Sequence, residues 1–72
     1  MATKAINNKG AEMNIRDRAA AAIDATHAVD NRGPRTYTAR RTLAAWLDGA
    51  ARLPARTIRV YVGFLEMVAR TA

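Results

Sequence analysis

The chain has 72 residues, a formal net charge of +6 and no cysteine. That leaves room for one small domain and excludes disulfide staples, thiolate metal sites, iron–sulfur ligation and a thiol nucleophile. Leu, Ile, Val and Phe number 13 against 17 alanines, so much of the apolar composition favours helix while supplying little core volume.

Residues 1–12, MATKAINNKGAE, show no periodicity and hold one large aliphatic side chain, Ile6. The expectation is a disordered tail, with residues 13–72 as a single three-helix domain. The tail lacks the apolar stretch of a secretory signal. No apolar run in the chain approaches the ~20 residues of a membrane span. The absence of cysteine suits a reducing compartment, so the expected location is cytoplasmic.

A first helix is predicted over about 15–31. Asn14 is a good N-cap, and Asp17 supplies a carboxylate in the first turn. Ile15, Ala19, Ala22, Ile23, Thr26 and Val29 recur at helical spacing, with Arg16, Ala20, Asp24, His27 and Asn31 on the outer face. Gly33 and Pro34 read as the stop, and Arg32 to Tyr37 as a loop.

Thr36 or Thr38 would then cap a second helix over about 38–49, ended by Gly49. Its apolar stripe is Ala39, Leu43, Trp46, Leu47 and Ala50. On this phasing Trp46 is core rather than a stacking platform. Tyr37 reads equally as core or as surface contact. Arg40 and Arg41 fall near the helix start, where cations oppose the dipole and an anionic partner would relieve them.

Pro54 suits the first turn of a third helix over about 54–71. This helix has the strongest pattern: Ile58, Tyr61, Val62, Leu65, Val68 and Ala69, with a second apolar row of Val60, Phe64 and Met67. The polar strip is Arg56, Arg59, Gly63, Glu66 and Arg70, with Glu66 and Arg70 spaced for an i,i+4 pair. Two alanine-rich helices are a thin cover for so much apolar surface. A dimer mate or another protein is an alternative cover to helix one.

Charge is unevenly placed. In residues 1–31 four basic and four acidic side chains cancel, while residues 32–72 hold eight arginines against Asp48 and Glu66. Arginine forks match phosphate and carboxylate, so nucleic acid and acidic protein surfaces are the partner classes implied. Coding bias in a GC-rich genome would also enrich arginine and alanine.

Catalysis finds little support. There is no serine, the glycines are isolated, and His27 is the single histidine. A nucleophilic triad and a phosphate-cradling loop are therefore excluded. Asp24 shares a helix face with His27, but a solvated surface histidine is the simpler reading. Neither an enzyme nor a cofactor or metal site is expected.

Residues 42–65, TLAAWLDGAARLPARTIRVYVGFL, resemble a helix-turn-helix over about a third of the chain. Leu43-Ala44-Ala45 match its small-residue helix, Gly49 its turn glycine, and Thr57-Ile58-Arg59 the opening of its second helix. Nine positions separate Gly49 from Ile58, a longer turn than the standard motif has, and Pro54 stands where a capping hydroxyl is usual. The resemblance implies a tri-helical, helix-turn-helix-like unit and a DNA-binding repressor reading the major groove with helix three.

In size, composition, tail and basic helical body the chain also resembles the small transcription regulators of lytic phages. That resemblance implies binding to the host's bacterial RNA polymerase, displacement of the promoter-specificity factor, inhibition of initiation and promotion of antitermination. It places the protein in the cytoplasm of a bacterial host.

The residues expected to meet the partner are Arg35, Arg40, Arg41, Arg52, Arg56 and Arg59, with Val60, Phe64 and Met67. The apolar row favours an acidic protein partner such as a polymerase subunit, and Arg56, Thr57 and Arg59 favour double-stranded DNA. A structural RNA-binding protein is a third class. The expected oligomeric state is monomer or weak homodimer.

Overall fold

Three helices follow one another: α1 (Ile15–Ala28), α2 (Pro34–Leu47) and α3 (Ala55–Thr71). The structure is a computed structural model and describes residues 14–29 and 33–71. The expected tail over residues 1–12 lies outside the described residues, as does Asn31.

α1 begins as its sequence dictates. Asn14 takes an extended conformation, and its side-chain oxygen accepts the Asp17 N–H at 2.8 Å, which satisfies one of the unpaired amides of the first turn. The Asn14 carbonyl accepts the Arg18 N–H at 3.0 Å. The helix ends at Ala28 with Val29 as its cap, short of the boundary expected near residue 31. Ala19, Ala22 and Thr26 are buried, and Ile15 and Ile23 pack at the margin. Thr26 is accommodated in the core because its hydroxyl donates to the Ile23 carbonyl one turn back, at 2.9 Å.

α2 starts at Pro34 and not near residue 38. Gly33 has φ −58 and is the N-cap of α2, so it is not a left-handed stop for α1. Pro34 opens the helix, where its missing N–H costs nothing and its fixed φ is already helical. Tyr37 then donates to the Gly33 carbonyl at 3.0 Å, inside the first turn and not in a loop. Thr36, expected as a possible cap, is buried instead.

The far end of α2 matches expectation. Gly49 has φ +81, donates to the Trp46 carbonyl at 3.1 Å, and is followed by Ala50 donating to the Ala45 carbonyl at 2.8 Å. These paired bonds form a Schellman stop, which needs a residue tolerant of the left-handed region.

The connection over residues 48–54 then leads to α3, where the Pro54 carbonyl accepts the Ile58 N–H at 3.1 Å. α3 buries Ile58, Val62, Leu65 and Val68 against the other two helices. It makes its widest contact with α1, whose short Ala19 and Ala22 let the larger α3 side chains approach closely. Ala39 and Leu43 of α2 close the core. Leu43, Val62 and Leu65 have no solvent exposure.

Candidate functional site

The side chains expected to meet a partner do not lie on one face. Arg35, Val60 and Phe64 line a groove on one flank of α2, Arg40 and Arg41 a groove on the other, and Arg52, Arg56, Arg59 and Met67 line neither. On the α3 side, Pro34, Arg35 and Thr38 of α2 face Val60, Tyr61 and Phe64 of α3 across a groove of ≈ 380 Å³. On the α1 side, Arg40 and Arg41 border a smaller groove of ≈ 210 Å³ with His27 and Tyr37. Among the described residues none lines both grooves.

The wider groove forms because α2 begins at Pro34. That early start carries Arg35 onto the helix and places it beside α3. The floor is apolar: Phe64 and Tyr61 pack half-buried against the core, while Val60 stands out with 59% exposure. One turn beyond Phe64, Met67 is 46% exposed. The second apolar row of α3 is therefore covered only at Phe64. Helix one does not cover it, since α1 meets the opposite side of α3 through Arg18 and Glu66.

Arg52 is exposed in the connection between α2 and α3, and Arg56 and Arg59 are exposed near the start of α3. Gly63 and Arg70 continue the same outer strip. The expected Glu66–Arg70 pairing gives way to a longer-range one. Arg18 of α1 grips Glu66 with both forks, Nη2 to Oε1 at 2.8 Å and Nε to Oε2 at 3.2 Å. The hydrogen bond to Glu66, reinforced by its charge, raises the Arg18 guanidinium above the usual arginine range, against a small opposing effect of burial.

This pairing uses one of the two carboxylates available to the second half of the chain. Among the described residues Arg35, Arg41, Arg52, Arg56 and Arg59 make no ion pair. Neither α2 nor α3 has an acidic residue in its first turn, yet Arg35 and Arg56 sit there, against the helix dipole. Arg40 and Arg41 instead lie mid-helix, because α2 begins four residues before the expected boundary at residue 38. Arg35, and not Arg40 or Arg41, is the arginine that opposes the α2 dipole.

Sequence reasoning missed Pro34, Thr38 and Tyr61 as groove residues and did not place His27 in a groove with Arg40 and Arg41; Tyr37, read equally as core or surface contact, is exposed and lines that second groove. The signal for the first group was Pro34 itself, whose preference for the first helical position competed with its role as a stop. Tyr61 shares a stripe with buried residues, so periodicity alone assigns it to the core.

Among the described residues no group of three or more His, Asp or Glu side chains is placed to hold a metal ion, and no helix is long and apolar enough to cross a membrane. No protein-family model, curated protein or solved structure matches the chain.

Proposed function

We propose that the chain is a small non-enzymatic transcription regulator that docks on an acidic surface of a bacterial RNA polymerase and inhibits initiation, acting in the bacterial cytoplasm. The observation that carries this reading is the α2–α3 groove, with its apolar floor of Val60, Tyr61 and Phe64 and its uncompensated Arg35 at the rim. Protein interfaces concentrate their energy in a desolvated apolar centre ringed by polar contacts. The groove fits an acidic segment that presents one apolar anchor. The choice of polymerase as the partner comes from the resemblance to small phage regulators in size and composition.

A DNA-binding repressor is the second reading, favoured by Arg56, Thr57 and Arg59 at the start of α3. Against it, residues 48–54 make a long connection for a helix-turn-helix, and the outer face of α3 continues as Val60, Gly63 and Met67. Base edges in the major groove call for polar side chains at such positions.

The test is titration of labelled protein with core polymerase, with a promoter fragment and with a random duplex, at one fixed salt concentration. The proposal expects tight binding to the enzyme and equally weak binding to the two duplexes. Tight, sequence-dependent binding to the promoter fragment alone would replace it with the repressor reading.

A further inference from the structure

Gly63 lies in the middle of α3 with no reason inside the chain for being glycine. It sits in regular helix, and a Cβ added there would meet nothing within 4 Å. Glycine inside a helix costs stability relative to alanine, and packing within the described residues does not call for it. Its neighbours on the helix surface are apolar: Val60 at i−3 and Met67 at i+4, both exposed. Val60, Phe64 and Met67 make a row about 10 Å long on α3, with a backbone notch at Gly63 along its edge. Arg35 of α2 and Arg56 and Arg59 of α3 are exposed and make no ion pair. α2 has no acidic residue, and Glu66, the single one of α3, is held through both oxygens by Arg18.

We propose that the α2–α3 groove seats one acidic amphipathic α-helix, packed closely against α3 at the Gly63 notch. This rests on the protein-docking reading of the groove and gives the partner a secondary structure and a point of closest approach. Apolar positions at i, i+4 and i+7 form a straight row, which the apolar face of a second helix matches. The distance between packed helices depends on the side chains at their contact, and a glycine there brings the backbones together. No strand is present among the described residues, so an extended segment has no sheet edge to join. The charge decides between partners. A second copy would bring its own Arg35, Arg56 and Arg59 to the same face, and each chain carries +6. A helix with carboxylates flanking its apolar face satisfies those arginines.

Fluorescence anisotropy of the full chain tests it with a labelled peptide of about 18 residues, long enough to form helix in water, built of Glu and Ala with Leu at i, i+4 and i+7. A second peptide differs by one central proline, which breaks the helix. The first should bind, and the second about tenfold more weakly or worse. Gly63→Leu should weaken the helical peptide about tenfold by holding it off α3. Circular dichroism and thermal melts should show that variant at least as stable as the parent, since leucine suits a helix and the space is open. Arg35→Gln and Arg59→Gln should each weaken the peptide about threefold at low salt, and less as salt rises. No saturable binding of the helical peptide, equal binding of the proline peptide, or affinity indifferent to Gly63→Leu overturns the proposal. So does a homodimer in sedimentation equilibrium that Gly63→Leu disperses, which would put a second copy on this face. Core polymerase separates the two readings. If it binds parent and Gly63→Leu alike, the helix seat falls while the docking reading stands. If it binds neither while the peptides behave as expected, the helix seat stands and the polymerase reading falls.

Discussion

Arg16 and Trp46 tie the start of α1 to the end of α2. The guanidinium carbon lies 5.1 Å from the indole ring centroid, and Nη2 of the same arginine donates to the Leu47 carbonyl at 2.7 Å. One side chain thus covers an aromatic face, satisfies a carbonyl left unpaired at a helix C-terminus, and brings a cation to the negative end of the α2 dipole. Trp46 is in consequence half-buried, with one side on the core and Arg16 over its ring.

That placement ranks the core substitutions. Leu43 and Leu65 are wholly enclosed, so Leu43→Ala and Leu65→Ala should each cost about 3 kcal/mol in lost transfer energy and residual cavity. Trp46→Ala should cost about 2 kcal/mol, below the range for a fully enclosed tryptophan. Urea unfolding followed by far-ultraviolet circular dichroism measures all three. A Trp46→Ala variant less stable than both leucine variants would show that Trp46 is the centre of the core.

The Arg18–Glu66 pair is partly exposed, at 43% and 32% of the two side chains, which limits its worth to about 0.5–1 kcal/mol despite the two-forked geometry. A double-mutant cycle on Arg18→Met and Glu66→Gln should return that coupling, and added salt should shrink it. The folded-state value of the arginine is raised. Its contribution is therefore fully present below the unfolded arginine value and is lost only as pH climbs through the folded one, in strong alkali. Stability carried by this arginine should be flat across neutral pH. A coupling that vanishes between pH 7 and 9 would contradict the pairing.

Gly49 and Gly63 should respond in opposite directions. A Cβ at either meets nothing within 4 Å, so space does not decide. Backbone conformation does. At Gly49 the positive φ penalises any side chain, and Gly49→Ala should cost about 1–2 kcal/mol. At Gly63, inside α3, alanine removes the entropy cost of glycine in a helix and should stabilise by about 0.5–1 kcal/mol. Thermal melts of the two variants, one lowered and one raised, check both.

The helices with one clear apolar face were legible in the sequence. α3 was placed within one residue of its start because its aliphatic period is strong, and α1 was marked by the Asn14 cap. The start of α2 was not, because Gly33-Pro34 is compatible both with ending one helix and with opening the next. Which role applies depends on whether Thr36 and Ala39 find a core to enter, a tertiary fact. The same shift explains the site. The arginines were identified by composition, but the angle separating Arg35 from Arg41 round α2 became meaningful only once the helix was in register. Only the packed structure shows that they serve different grooves.

Val60 and Met67 give the sharpest test of the docking surface because they can be changed without disturbing the fold. Both are exposed large apolar side chains on α3, at 59% and 46%, and Val60→Ser and Met67→Ser should alter stability by no more than about 0.5 kcal/mol. If an acidic protein segment lies across α3 into the groove, each variant removes a contact buried only in the complex. Affinity for core polymerase should then fall about tenfold, the effect of losing roughly 1.4 kcal/mol at an interface centre. Arg35→Gln should weaken the same complex chiefly through its association rate, with the loss diminishing as salt rises. Arg41→Gln, on the other flank of α2, should not. Binding measured by surface plasmon resonance, beside unfolding curves for each variant, separates the two effects. Serine variants that keep full affinity for the enzyme would remove the exposed apolar side chains of α3 from the interface.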